Sequence, residues 1–144
     1  MRAHLKQTIA IAVGDDPAAA TRQLETLDGA PGRVQPAGRH PNGASVYVDY
    51  AHTPDAYDKV LGTIKQLSQK ETKILVVFGA GGDRDVSKRP EMAKVAELYA
   101  NHCYVTPDNP RTEDPDQIAK EVISGFNSNR HTVFALSLIH ISEP

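Results

Sequence analysis

The apolar positions of this chain fall into short runs and helical stripes that alternate along its length. Ile74, Leu75, Val76, Val77 and Phe78 form a continuous apolar run, which suits a strand covered on both faces in a parallel sheet. Before it, Val46, Tyr47, Val48, Asp49 and Tyr50 read as a strand, and Thr53 caps a helix with Pro54 and Asp55 in its first turn. In that helix Ala56, Val60, Leu61, Ile64 and Leu67 recur at 3.6-residue spacing as an apolar stripe. After the run at 74–78, a helix over about residues 90–100 presents Met92, Ala93, Ala96 and Tyr99 on one side. A short strand of Cys103, Tyr104, Val105 and Thr106 leads to a third helix, capped by Asp114 and opened by Pro115, with Gln117 as the reciprocal capping-box partner. Ile118, Ala119, Val122 and Ile123 face inward along it, and Gly125 stops it.

Three consecutive strand-loop-helix units with short connections predict an α/β fold: a Rossmann-like, mostly parallel sheet with flanking helices and right-handed crossovers. The strand-end loops then share one edge. That edge gathers Asp49 and His52, residues 79–84 and residues 108–111 into one crevice.

The ends of the chain read differently. Leu5, Ile9, Ala12 and Val13 recur near helical spacing, and Asp16-Pro17 opens a second helix to about Leu27, so residues 1–28 predict a helical hairpin that must lean on another surface. Gly29-Ala30-Pro31-Gly32-Arg33 marks a hinge, and residues 33–45 predict a loop or short hairpin turning at Pro41-Asn42-Gly43. The domain reading is therefore residues 1–30, then residues 31–135, then residues 136–144. That last stretch resembles the translation of a sequencing-library adapter and reads as a non-native tail, with the sheet truncated at its C-terminal end.

Composition narrows the class. The 144 residues, 40% apolar and 24% charged, can bury one respectable core. A formal net charge of −2 argues against a general nucleic-acid binder. One cysteine, Cys103, makes no internal disulfide and places the chain in a reducing cytoplasm, where a buried small hydrophobe is the ordinary reading. The apolar run at residues 8–13 is too short for a membrane span. Six histidines at scattered positions, without paired spacing or a second cysteine, give no zinc site.

Three local signals carry candidate chemistry. In Gly79-Ala80-Gly81-Gly82-Asp83-Arg84-Asp85 the glycines would allow positive φ and expose N–H groups, a nest for phosphate or carboxylate beside Arg84, Lys88 and Arg89. The stretch matches neither G-x-G-x-x-G nor the phosphate-loop pattern, so a tight strand-to-helix turn is the competing reading. Asp49, an acid ending an apolar strand, suits a ribose hydroxyl or a metal, with a cap or turn partner as the competing reading, and His52 can donate to a nucleotide. Asp108-Asn109-Pro110-Arg111 offers an acceptor, an amide and a fork-shaped guanidinium in a loop fixed by prolines, which suits a zwitterion.

Together, the segments Asp49-Tyr50-Ala51-His52-Thr53-Pro54-Asp55, Gly79 to Asp85 with Lys88-Arg89-Pro90, and Asp108-Asn109-Pro110-Arg111-Thr112-Glu113-Asp114-Pro115 resemble the Mur ligases, in particular their diaminopimelate-adding branch. The resemblance implies a cytoplasmic, ATP- and Mg2+-dependent amide-bond ligase of peptidoglycan synthesis and cell-wall biogenesis, serving cell shape and division. In that chemistry ATP phosphorylates the D-glutamate carboxylate of the UDP-N-acetylmuramoyl dipeptide, and the amine of meso-diaminopimelate attacks the acyl phosphate. It implies that residues 1–30 are the remnant of a central ATPase domain and residues 31–135 an incomplete C-terminal ligase domain. The Gly-Lys-[Ser/Thr] phosphate loop, the metal ligands and the later Gly-Lys-Gly-His-Glu motif are not in this chain, so the remaining ligase domains are implied partners and the fragment is expected to be inactive alone. Carried over motif by motif, Arg33, Asp49 and His52 face the nucleotide, and Arg84, Asp108, Asn109, Pro110 and Arg111 hold diaminopimelate, with Arg111 discriminating against lysine. The competing readings are another ligase of the superfamily, of folylpolyglutamate or cyanophycin synthetase type, and a stand-alone anion or amino-acid binding module.

Overall fold

The computed structural model describes residues 29–134 together with residues 16, 18, 19 and 22, and the chain divides into two compact units, Met1–Tyr50 and Ala51–Pro144. The helical hairpin expected over residues 1–28 lies almost wholly outside the described residues. Within it the Asp16 carboxylate accepts the Ala19 N–H at 2.8 Å, as an N-cap does. The tail at residues 136–144 also lies outside the described residues.

In the first unit β1 (Gln35–Arg39) and β2 (Ser45–Val48) form an antiparallel hairpin. The turn closes at the expected place: Gly43 N–H donates to the His40 carbonyl at 2.8 Å, and Asn42 Oδ1 accepts from Ala44 N–H at 3.0 Å. Gly43 takes φ 90°, which a side chain would resist. This corrects the strand read over residues 46–50, which was expected in the parallel sheet and pairs instead with β1. A short turn places an antiparallel partner next in the chain, and both strands are exposed throughout, so nothing here demands burial between parallel neighbours.

The second unit contains α1 (Pro54–Leu67), β3 (Leu75–Phe78), α2 (Lys88–Tyr99), β4 (His102–Val105), α3 (Pro115–Ile123) and β5 (His131–Val133). Its three strands are parallel in the order β3-β4-β5, with Leu75 opposite His102 and Cys103 opposite His131. The α/β class is thus as expected, with β5 rather than residues 46–50 as the third parallel strand. Thr53 Oγ1 caps α1 by accepting from Ala56 N–H at 3.3 Å. Asp114 caps α3 through the Asp116 N–H at 3.0 Å, but Gln117 does not reciprocate; its amide donates to Glu121 at 2.9 Å, one turn on.

The core joins Tyr57 and Leu61 of α1, Met92, Ala93 and Ala96 of α2, Val122 of α3, and Phe78, Cys103 and Val105 of the sheet. Ala93 and Ala96 are fully buried; small side chains there let α2 lie close to its neighbours. Tyr57 meets Phe78 edge to face, with centroids 5.4 Å apart. Burial pushes the Cys103 thiol up to about 11, so it is an inert hydrophobe.

Two apolar expectations are corrected. In α1 the stripe runs through Tyr57 and Leu61, whereas Leu67 is 83% exposed at the helix end. Along the apolar run only alternate residues are covered: Ile74, just before β3, and Phe78 are buried, while Leu75 and Val77 are 59% and 55% exposed. The physical reason is that all three helices contribute to the cluster on the Phe78 face. Among the described residues no helix is long and apolar enough to cross a membrane.

Beyond the core, Glu97 of α2 ties down the loop before β5. Its carboxylate accepts the Asn127 and Ser128 N–H groups, each at 2.9 Å, and the Ser128 hydroxyl. Burial pushes its pKa up, but these bonds to the charged form outweigh it and hold the carboxyl below its ordinary 4.5. A depressed pKa contributes stability that is present above the ordinary value and lost as pH falls through the depressed one. Thermal melts from pH 7 to pH 2 should therefore show an acid-labile component that Glu97→Gln removes while lowering the neutral-pH melting point. In urea titrations Leu61→Ala should cost about 2–5 kcal/mol and Leu67→Ala less than about 0.5 kcal/mol.

Candidate functional site

Because β3 and β4 are parallel and paired through Phe78 and Val105, their C-terminal ends release two loops at one edge. The Thr106 N–H continues the pairing to the Phe78 carbonyl at 3.0 Å. Beyond it the loops stay in contact because glycine leaves room. A Cβ at Gly79 would lie 2.2 Å from the Thr106 carbonyl oxygen, and one at Gly82 only 1.8 Å from that of Pro110. Close approach, not positive φ, is what these glycines supply. The left-handed residues are Asp83 at φ 53° and, in the facing loop, Arg111 at φ 49°.

Hydrogen bonds lock the loops together. Gly82 N–H donates to the Asn109 carbonyl at 2.9 Å, Asp83 N–H to Glu113 Oε1 at 2.5 Å, and the Thr112 hydroxyl to Asp83 Oδ1 at 2.7 Å. Arg111 Nη1 donates to the Gly82 carbonyl. This narrows the anion nest expected of the glycine-rich stretch, since the Gly82 and Asp83 N–H groups are already satisfied within the protein. Asn109 is engaged as well. Its Oδ1 accepts from Arg111 N–H at 3.1 Å and shapes the turn that carries the guanidinium.

Beneath the loops lies Arg89, 1% exposed on α2. Its Nη1 donates to Glu113 Oε2 at 2.8 Å and Glu121 Oε2 at 2.5 Å, and its Nη2 to Glu113 Oε1 at 2.8 Å and the Gly81 carbonyl at 3.1 Å. The Glu113 hydrogen bond is the main cause that raises the Arg89 pKa further, and Arg89 in turn holds the Glu113 carboxyl below the usual range. Glu121 is held low by Gln117 and then by Arg89.

The loops enclose a cleft of about 560 Å³ in the second unit. Of the residues expected to bind, His52, Arg84, Asp108, Asn109 and Arg111 line it together, joined by Gly81, Asp85, Lys88 and Met92. Pro110 does not line it; its carbonyl backs Gly82. Arg33 and Asp49 belong to the first unit, where Asp49 Oδ2 accepts from Val34 N–H at 2.7 Å across the open end of the hairpin. Among the described residues the Arg84 guanidinium and the Asp108 carboxylate make no hydrogen bond or ion pair, and both are exposed to the cleft. Lys88 pairs with Asp85 at 3.5 Å, and the Asp85 carboxyl is lowered chiefly by the Ser87 hydroxyl. No cluster of three or more His, Cys, Asp or Glu able to hold a metal occurs among the described residues.

Sequence reasoning gave Arg89 only a share of local positive charge and missed its pairing with Glu113. A signal was present, for Arg89 precedes Met92 and Ala93 by three and four residues on the apolar stripe of α2, and an arginine there requires buried acceptors.

Residues 32–140 match the family described as Mur ligase, glutamate ligase domain. Over 121 residues the chain is 47% identical to the UDP-N-acetylmuramoyl-L-alanyl-D-glutamate–2,6-diaminopimelate ligase of Chlamydia muridarum, covering 84% of this chain and 24% of that protein. A solved structure of a ligase of the same description superposes with a TM-score of 0.64 at 40% identity, over 89% of this chain and 26% of the other. The Mycobacterium tuberculosis folylpolyglutamate synthase complexed with ADP shares the fold, with a TM-score of 0.60 at 22% identity over 84% of this chain and 25% of the other. The chain spans about a quarter of the length of the curated relatives it matches.

The loop contact makes a direct test possible. Gly82→Ala introduces a Cβ where the Pro110 carbonyl stands, a backbone group that cannot move aside without parting the loops. It should cost about 1–3 kcal/mol in chemical denaturation and shift the Asn109, Arg111 and Glu113 amide resonances, while β4 resonances stay in place.

Proposed function

The chain belongs to the Mur ligase family, and from that premise we propose that it is the amino-acid-recognising portion of a ligase that joins meso-diaminopimelate to UDP-N-acetylmuramoyl-L-alanyl-D-glutamate. The observation that carries this reading is the cleft itself, in which an uncommitted guanidinium (Arg84), an uncommitted carboxylate (Asp108) and the Arg111 fork converge from two locked loops. Such a set matches a ligand bearing both ammonium and carboxylate groups. A free anion would meet Asp108 unfavourably.

In this reading Arg84 and Arg111 receive carboxylates, Asp108 receives an ammonium, and the Asn109 amide NH₂ supplements whichever group lies nearest. Arg111 provides the discrimination, because diaminopimelate differs from lysine by one carboxylate. A site built for a charged hydrogen bond rejects the ligand that lacks it, since the guanidinium is then left without its partner. Holding the amine at a fixed place also orients it toward an activated carboxyl group, which is the contribution that positioning makes to an amide-forming step.

ATP, with Mg2+, supplies the activation of the acceptor carboxylate in this chemistry. The glycine-rich loop of the second unit is a poor cradle for its phosphates. The Gly82 and Asp83 N–H groups that could cradle them are spent on Asn109 and Glu113, and no metal-ligating cluster occurs among the described residues. The remaining domains of the full ligase are the proposed source of that machinery, and Arg33, Asp49 and His52 the proposed contacts of this chain to the nucleotide.

Isothermal calorimetry with meso-diaminopimelate and L-lysine tests the reading. The wild-type chain should bind diaminopimelate more tightly than lysine, and Arg111→Ala should weaken diaminopimelate roughly 10- to 150-fold while changing lysine little. Equal affinity for the two amino acids, unaffected by Arg111→Ala, would overturn it.

A further inference from the structure

Arg89 carries five N–H donors, and the four on its terminal nitrogens are committed to Glu113, Glu121 and the Gly81 carbonyl. Nε–H remains, buried and without a partner among the described residues. A guanidinium so occupied cannot present a two-pronged face to a ligand carboxylate, although Arg89 forms part of the cleft wall. Its bonds lead instead to the ligand-bearing loops. The Gly81 carbonyl belongs to the loop that carries Arg84, and Glu113, gripped through both oxygens, accepts the Asp83 N–H from that loop while following Arg111 by two residues in the other.

We propose that Arg89 is a positioning residue for amino-acid recognition: with Glu113 it fixes the spacing between Arg84 and Arg111, and so sets selectivity for a ligand with carboxylates at both ends. The inference rests on the reading of the cleft as a diamino-acid site. Geometry distinguishes it from a merely structural role. Arg89 and Glu113 form a doubly bonded fork, Asp83 and Arg111 hold left-handed backbones on either side of it, and Gly82 allows no slack between the loops. Lysine at position 89 would retain the charge but reach only part of this set from a single nitrogen.

The test uses the full chain in three forms: wild type, Arg89→Lys and the milder Glu113→Gln. Amide hydrogen exchange at Gly82 and Asp83 is read against Thr106, whose N–H bonds across the sheet. Diaminopimelate and lysine are then titrated into each. In Arg89→Lys the Gly82 and Asp83 amides should exchange at least about tenfold faster with Thr106 unchanged, and the preference for diaminopimelate over lysine should fall about tenfold. Glu113→Gln, which keeps the shape and one acceptor oxygen but sets an NH₂ against a donor in place of the other, should lie between the two. Variants that keep wild-type exchange at Gly82 and Asp83, or that weaken both ligands equally, overturn the proposal. A wild-type chain that binds neither amino acid overturns the diamino-acid reading and the selectivity role with it, whereas faster exchange in the variants then still supports the loop lock.

Discussion

A guanidinium can leave water only where acceptors meet it on several sides, and the second unit is arranged so that Arg89 meets them. Its side chain sits on the same stripe of α2 as Met92, Ala93 and Ala96, so packing the core carries Arg89 under the strand-end loops whether or not acceptors are present. Both carboxylates that receive it come from one stretch, Glu113 before α3 and Glu121 within it. The charge requirement of one buried side chain thereby decides where the loop after β4 runs and how α3 approaches α2. Gly125 completes that approach, since any side chain there would strike the Pro90 carbonyl at 2.0 Å.

Above this clamp the residues divide into those that build the cleft and those that face a ligand. The builders are spent: Gly82, Asp83, Thr112 and Glu113 make their hydrogen bonds within the protein, and Asn109 gives its carbonyl oxygen to the turn. Among the described residues Arg84 and Asp108 make no such bonds and line the cleft. The left-handed backbones at Asp83 and Arg111 belong to this division. Aspartate adopts that conformation readily, but for arginine it carries a cost that the Asn109 cap and the bond to Gly82 offset. Backbone strain is thus retained where it aims a side chain.

Much of this was legible in the sequence because the signals were local. The Thr53 and Asp114 caps, the Pro41-Asn42-Gly43 turn and the helix stripes each depend on a few neighbouring residues, and the chance that the loops after β3 and β4 would meet followed from parallel strand order alone. What could not be read depended on partners far along the chain. A continuous apolar run looks the same whether one face or both are covered, so the exposure of Leu75 and Val77 was invisible, as was the choice of β1 over a parallel neighbour for β2. Gln117 had the spacing for a capping box and also for a bond to Glu121 one turn later, and sequence could not rank the two. The glycines were read for conformational freedom, whereas their use is proximity to a carbonyl that lies 28 residues away in the case of Gly82 and Pro110.

The electrostatics of the cleft follow from these commitments more than from its composition. Arg89 is matched by two carboxylates, and Lys88 is paired with Asp85, so neither adds much unopposed positive charge to the cleft. The charge a ligand would meet therefore comes chiefly from Arg84, Arg111 and Asp108. A phosphate would find the Gly82 and Asp83 N–H donors already bonded and a carboxylate at Asp108; a simple cation would be repelled by two guanidinium groups. A small molecule carrying separated carboxylate and ammonium groups satisfies both signs at once. A cleft that looks like a basic phosphate loop in composition is thus better matched, through the bonds already made within it, to the zwitterion proposed for it.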